Sequence, residues 1–358
     1  MNKAILIKKI INEIHQSSIE KLNIMEVCGT HTQAVSRSGI RSLLPPNLVL
    51  LSGPGCPVCV TDKSLIDAAV EILKNDIILA TFGDMVRVRG TLESISDQLH
   101  KRKNIFVIYS PLDCLELAKD KPERQVVFFT AGFETTAPGI ALAVKLAHKE
   151  NLHNLSFLTS LKLMPPVLHS ILREKQKKIH GLICPGHVAA VMGAGYFRFV
   201  AGEYGINAAV CGFEPLDIAS GLLFLTKKIS SSSEAAFANL YESCVREEGN
   251  ETARKIMMQV FDIADGNWRG IGEIKESALV LNQNYCCFDA LKKFNIRPDK
   301  FASDQHCNCS DVILGNIMPY ECRLFGKACT PQKPAGPCMI SSEGSCSAYY
   351  RYWEASFK

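Results

Sequence analysis

Gln125-Val-Val-Phe-Phe-Thr130 runs into Ala131-Gly-Phe-Glu-Thr-Thr136 and then into the Ala- and Leu-rich stretch Pro138–Glu150. A short β-rich run, a glycine turn and a helical pattern follow one another without a break. The same unit recurs. Strand candidates are Leu22–Val27, Leu48–Leu51, Ile77–Thr81, Ile105–Tyr109, Gln125–Thr130, Ser156–Ser160, Gly181–Cys184 and Ala208–Cys211. Helical patterns such as Lys63–Lys74, Pro138–Glu150 and Pro166–Lys178 lie between them. Such alternation predicts an α/β protein with parallel sheets. Eight strands suit two smaller sheets, with a break at the charged, Pro-containing stretch Lys119–Arg124.

Beyond residue 230 the pattern changes. Ser230–Ser233 reads as a polar linker, and Glu234–Glu247 and Thr252–Ile263 read as amphipathic helices. The last fifty residues are rich in Pro, Gly and Cys and lose periodicity, so a bound metal is expected to hold them. The expected division is 22–122, 123–230 and 231–358, with 1–21 packed on the last.

The 358 residues carry 40 basic and 36 acidic side chains, a net charge of +4, too small an excess for a nucleic-acid surface. An apolar content of 47% excludes a disordered chain. Residues 1–20 lack an apolar signal core, and no uncharged run is long enough to span a membrane. Fifteen cysteines in a chain of this length argue against a disulfide-stapled miniprotein. A cytoplasmic protein with reduced thiols is expected.

Several polar clusters follow strand candidates, where α/β sheets bind ligands. Cys28-Gly-Thr-His31-Thr32 puts a thiol at a helix start, where backbone N–H groups and an imidazole would favour thiolate. A structural cysteine beside a turn histidine is the plainer alternative. Gly53-Pro-Gly-Cys56-Pro-Val-Cys59 has the spacing of a redox dithiol, ahead of half a zinc site. Thr81-Phe-Gly-Asp84-Met precedes Arg87 and Arg89, which share a face in extended chain and suit either an anion or a solvated edge. Thr135 and Thr136 read as helix caps, and no nucleotide loop is present. Cys184-Pro-Gly-His187-Val and Cys211-Gly-Phe-Glu-Pro-Leu-Asp217 complete the set. Six such clusters imply one cleft between two sheets. Finally, Cys307, Cys309, Cys322, Cys329, Cys338 and Cys346 fall within 40 residues, the last four as Cys-x6-Cys-x8-Cys-x7-Cys. Tight zinc knuckles are missing, which favours an iron–sulfur cluster. Spacing leaves open which four of the six are ligands.

Taken in order from Met25 to Tyr352, these motifs resemble the HypD family of hydrogenase maturation factors. The resemblance also rests on Cys322-Arg-Leu-Phe-Gly-Lys-Ala-Cys329-Thr-Pro and Ser341-Ser-Glu343-Gly-Ser-Cys346. One departure is Ser310 after Cys307-Asn-Cys309, where the family has Gly. The resemblance implies two parallel-sheet α/β domains facing a cleft, with a third, mostly helical and irregular domain carrying a [4Fe–4S] cluster. It implies a scaffold on which the iron of [NiFe]-hydrogenase receives cyanide and carbonyl ligands. The partners would be HypC and HypE, with cyanide made using HypF, and the chain would act as a monomer within that hetero-complex. Carried over by position, Cys28 would bind the Fe(CN)2CO iron, and Cys56 and Cys59 would be the dithiol beside it. Cys322, Cys329, Cys338 and Cys346 would hold the cluster. His31, Asp84, Thr135, His187 and Glu343 would assist or move protons. Thiolate ligation suits the soft, low-spin iron that cyanide and carbon monoxide require.

Two other classes fit the residues. One is a thiol–disulfide reductase driven by the cluster, which has no need of Cys28. The other is a zinc-stabilised interaction protein.

Overall fold

The computed structural model describes residues 2–17, 21–99, 104–175, 178–231, 234–298 and 307–353. Ser232 and Ser233 of the expected linker, Gln176 and Lys177 of the expected helix Pro166–Lys178, and residues 1, 18–20, 100–103, 299–306 and 354–358 lie outside the described residues. All eight strand candidates are strands: β1 Leu22–Glu26, β2 Leu48–Ser52, β3 Ile78–Thr81, β4 Ile105–Val107, β5 Val126–Gly132, β6 Leu155–Lys162, β7 Gly181–Pro185 and β8 Asn207–Cys211. The helices Lys63–Lys74, Ala137–Lys149 and Met164–Lys175 also follow the pattern.

The strands sort into two sheets. One has the order β2-β1-β7-β8-β9, with β9 at Phe237–Asn239, and every neighbouring pair is parallel. The other has the order β10-β11-β6-β5-β3-β4, with β10 at Phe261–Trp268 and β11 at Gly272–Leu281. Its β4, β3, β5 and β6 are parallel, whereas β11 and β10 add an antiparallel hairpin. The chain belongs to the α/β class, with parallel-sheet domains.

The expected break at Lys119–Arg124 is not there, because β3 before it and β5 after it pair in one sheet. The exchange between sheets comes instead after β2, after β6 and after β9. The segment 22–122 thus supplies β1 and β2 to one sheet and β3 and β4 to the other. Two compact units result. Met1–Cys56, Val167–Glu251 and Cys307–Lys358 form one, and Pro57–Pro166 with Thr252–His306 form the other. Parallel strands need long crossover connections, and a crossover can carry a whole second unit as easily as one helix.

Two expected helices are corrected. Glu234–Glu247 contains β9 and turns: Ala208 N donates to Ala236 O, and Leu240 N to Val210 O, so pairing with β8 outweighs helical spacing. Thr252–Ile263 is helical only within Glu251–Val260, after which the chain enters the hairpin.

In the first unit, Ile24, Leu50, Ile183, Ala209, Val35 and Leu222 pack one buried core. In the second, β5 is buried along its whole length, as a central parallel strand should be. Phe128 meets Phe157 edge-on at 6.2 Å. The Cys-rich end does not build its own core. Val312, Ile313, Met339 and Ala348 are buried, and Gly315 lies against Met25 and Leu51 of the first unit. Among the described residues no helix is long and apolar enough to cross a membrane.

Candidate functional site

In the first unit β1 ends at Glu26, and Cys28 keeps extended backbone (φ −126°, ψ 129°) just before the helix Gly29–Ser38. Two close approaches crowd this point. A Cβ on Gly29 would stand 2.7 Å from the carbonyl oxygen of Glu343. One on Gly55 would meet the Val27 carbonyl and stand 2.5 Å from Cys28 Cα. Only glycine fits either place. Gly29 N also donates to Gly55 O at 3.3 Å, so the loop carrying Cys56 lies beside Cys28. Both thiols are buried.

Thr30 Oγ1 donates to Glu343 Oε1 at 2.7 Å. Glu343 reaches there on a turn closed by Gly344 N donating to Ser341 O at 3.0 Å. His31 Nε2 donates to Gly212 O at 3.0 Å. The Phe213 ring stacks against His31 at 4.5 Å and against His187 at 4.0 Å. Cys28, His31, Cys56, His187 and Glu343 are therefore brought into one neighbourhood.

The electrostatics differ from expectation. Burial, and then the Glu343 carboxylate, push the Cys28 thiol up to about 11. Burial pulls His31 down to about 4 and also lowers His187. The imidazoles are neutral near pH 7, so they supply no positive charge, and desolvation outweighs the helix start. Cys28 is a thiol at rest, and a metal ion would have to displace its proton.

Asp84, Thr135 and Cys59 belong to the second unit. Cys59 is buried in the helical turn Pro57–Val60. Asp84 is half-buried in the first turn of Gly83–Val86, after β3. Thr135 is exposed, and Thr136 takes the N-cap position of Ala137–Lys149 without a side-chain capping bond, contrary to the expected cap. Arg87 and Arg89 are exposed on either side of buried Val88, but Arg87 is the αR C-cap of Gly83–Val86 rather than part of an extended segment.

Sequence reading missed a buried polar group in this unit. Lys162 Nζ donates to Asn267 O at 2.8 Å, and Asn267 Nδ2 donates to Asp62 Oδ2 at 2.6 Å. Burial lowers Lys162 to about 8. Glu134 Oε1 accepts from Met164 N at 2.7 Å. Lys162 ends β6, two residues beyond the strand candidate Ser156–Ser160, and its partners Asn267 and Trp268 come from the hairpin the sequence did not announce.

The Cys-rich end forms a third feature, within the first unit. Cys307, Cys309, Cys322, Cys329 and Cys346 line one small cavity. Its apolar wall includes Val312, Leu324, Phe325 and Met339. Cys307 Sγ and Cys309 Sγ are 3.1 Å apart, and Ala335 N donates to Cys329 Sγ at 3.3 Å. Gly336 leaves room for the thiols: a Cβ there would collide with Cys307 Sγ and stand 2.8 Å from Cys309 Sγ. Cys338 is fully buried and its side chain meets that of Cys346, one of the cavity-lining thiols. Five thiols lining one cavity with apolar walls are a donor set compatible with binding a soft metal or a metal cluster.

A family model described as "HypD: Hydrogenase formation hypA family" matches residues 5–353. The chain is 39% identical over 334 residues to hydrogenase maturation factor HypD of Escherichia coli (strain K12), covering 92% of this chain and 89% of that one. It is 37% identical over 352 residues to the HypD of Rhodobacter capsulatus, covering 97% and 93%. It is 35% identical over 354 residues to a putative hydrogenase expression/formation protein of Methanocaldococcus jannaschii, covering 98% of each.

Proposed function

Because the chain belongs to the HypD family of hydrogenase maturation factors, we propose that it is a scaffold on which the Fe(CN)2CO unit of [NiFe]-hydrogenase is assembled. The iron is cargo, bound by Cys28 together with a thiolate of HypC, while HypE delivers cyanide. The observation that carries this reading is the neighbourhood of Cys28: a buried thiol beside Cys56, with Glu343 of the Cys-rich segment bonded to Thr30.

The chemistry follows from the charges. A buried thiol held up to about 11 resists release of its proton to water and gives it up when a cation takes its place. Glu343 and His187 are the nearby groups that can take that proton. Burial protects an electron-rich iron–thiolate bond from solvent. Asp84 and Thr135 are further candidates on the second unit. Cys56 and Cys59 serve as a dithiol that passes electrons to the site.

The Cys-rich cavity would hold a [4Fe–4S] cluster, which supplies electrons when bound. Cys322, Cys329 and Cys346 line the cavity and are its ligands in this reading. The fourth is Cys338, buried beside Cys346, and Cys307 and Cys309 on the cavity wall are the alternatives to it. The protein works in the cytoplasm within a complex of maturation proteins.

The test is an infrared spectrum of anaerobically purified protein in complex with HypC, wild type against Cys28→Ala. Cyanide and carbonyl stretches present in wild type and absent from the variant support the scaffold. Their absence from wild type, with the cluster intact, overturns it.

A further inference from the structure

The Cys-rich end has little regular structure, yet five of its thiols surround one cavity. Fixing irregular chain costs about 1–2 kcal/mol per residue in backbone entropy. Some packed group must hold the thiols in place before metal arrives.

The last helix, Ser345–Trp353, supplies that frame. Cys346, Tyr349 and Tyr350 stand at i, i+3 and i+4 and share one side of it. Each tyrosine holds a ring from the segment around Cys322. Tyr349 lies 6.3 Å from Tyr320, and Tyr350 lies 6.0 Å from Phe325. Tyr320 and Phe325 flank Cys322 on its two sides. The turn that carries Cys322 is thus pinned at both ends to the helix that carries Cys346.

That helix is pinned in turn to the parallel sheet. The Arg41 guanidinium lies 4.5 Å above the Tyr349 ring. Arg41 is itself held by Glu26 Oε1 at 3.1 Å and by Leu50 O at 3.0 Å, from β1 and β2. Glu26 is fully buried and Tyr349 is 2% exposed. A planar guanidinium can present edges to two oxygens and a face to a ring at once, which an ammonium cannot do.

We infer that Arg41, Tyr349 and Tyr350 are positioning residues for the metal site, which through these ring pairs set the spacing of Cys322 and Cys346 in the metal-free protein. The inference rests on the reading that the cavity holds an iron–sulfur cluster, and it adds that the cavity is shaped in advance by the sheet of the same unit.

The experiment uses full-length, metal-free protein: wild type, Arg41→Lys, Tyr349→Phe, Tyr349→Leu and Tyr350→Leu. Each is reconstituted anaerobically with iron and sulfide. Iron and acid-labile sulfide per chain are measured, with the rate at which a chelator bleaches the visible absorbance. Co2+ is titrated into the metal-free proteins and its thiolate charge-transfer absorbance followed, and circular dichroism reports folding. Arg41→Lys, Tyr349→Leu and Tyr350→Leu weaken Co2+ binding and speed cluster loss about tenfold or more, while Tyr349→Phe matches wild type. The inference is overturned if the folded Leu and Lys variants hold metal as wild type does. It is equally overturned if Tyr349→Phe is as damaged as Tyr349→Leu, since the hydroxyl rather than the ring face would then matter. Should Tyr349→Leu fail to fold, Arg41→Lys and Tyr350→Leu, which alters a half-buried side chain, decide the matter. A wild type that takes up no iron and sulfide removes the iron–sulfur reading, and the Co2+ titration then decides the positioning claim by itself.

Discussion

Replacing Gly29 by Ala tests whether the Glu343 turn is seated on the Cys28 motif. The new Cβ would lie 2.7 Å from Glu343 O and 2.8 Å from Glu343 Cβ, where an ordinary contact begins at 3.4 Å. The turn must retreat by about 0.7 Å, and because one obstacle is backbone, no rotamer change relieves it. Overpacking of this kind costs about 1–3 kcal/mol. The retreat also stretches the 2.7 Å bond from Thr30 to the Glu343 carboxylate, a charge-assisted contact worth about 1.5–3 kcal/mol. Against this stands the helical preference for Ala over Gly, up to about 1 kcal/mol. The clash wins, and a net loss of about 2 kcal/mol is expected. Gly202 provides the comparison. It is exposed in the helix Phe199–Tyr204, and a Cβ there meets nothing within 4 Å. Gly202→Ala should therefore stabilise by about 0.4–1 kcal/mol. Urea denaturation of the metal-free protein measures both. If Gly29→Ala is neutral, or gains as much as Gly202→Ala does, the seating of Glu343 on Gly29 is refuted.

Other outcomes follow from the buried polar group of the second unit. Burial lowers Lys162 from 10.5 to about 8, so below about 8 both folded and unfolded chains carry the proton and the full burial penalty stands. Between there and 10.5 the unfolded chain alone holds it, and stability rises with pH by about 3 kcal/mol relative to Lys162→Met. Matched urea curves at pH 7.5 and 10 read this, and parallel curves for the two proteins would count against it. Asp62 caps Lys63–Lys74 by accepting from Ser64 N at 2.9 Å and also bonds Asn267. Asp62→Ala should lose about 2 kcal/mol in thermal or urea unfolding, and a change within 0.5 kcal/mol would contradict the network.

The strand–helix alternation was legible because burying apolar faces on one strand is a local requirement. β5 shows it plainly, a continuous apolar run that is buried throughout. The hairpin β10–β11 was not legible. Phe261-Asp-Ile-Ala-Asp-Gly-Asn-Trp268 mixes charges into a strand, and it is a strand because Trp268 Nε1 donates to Ser277 Oγ at 2.8 Å and the two arms pair along their length, with a register shift between Ala264 and Gly266. Glu234–Glu247 misled for the related reason that helical spacing in charged chain yields to an open strand edge, here that of β8.

The candidate site divides in the same way. Cysteine spacing marked Cys56, Cys59 and the Cys-rich end, and the Gly, Thr and His clustered after a strand end marked Cys28, since thiol chemistry resides in residue type. Sequence also identified strand ends as the places where function gathers, because turns there free backbone and side chains from the sheet. Only tertiary structure decided which strands share a sheet, since pairing depends on contacts between residues far apart in the chain. It also decided that Cys28 is protonated at rest. Burial and the carboxylate of Glu343, more than three hundred residues away, outweigh the local helix start, because desolvation is set by everything packed around a group and not by its neighbours in sequence.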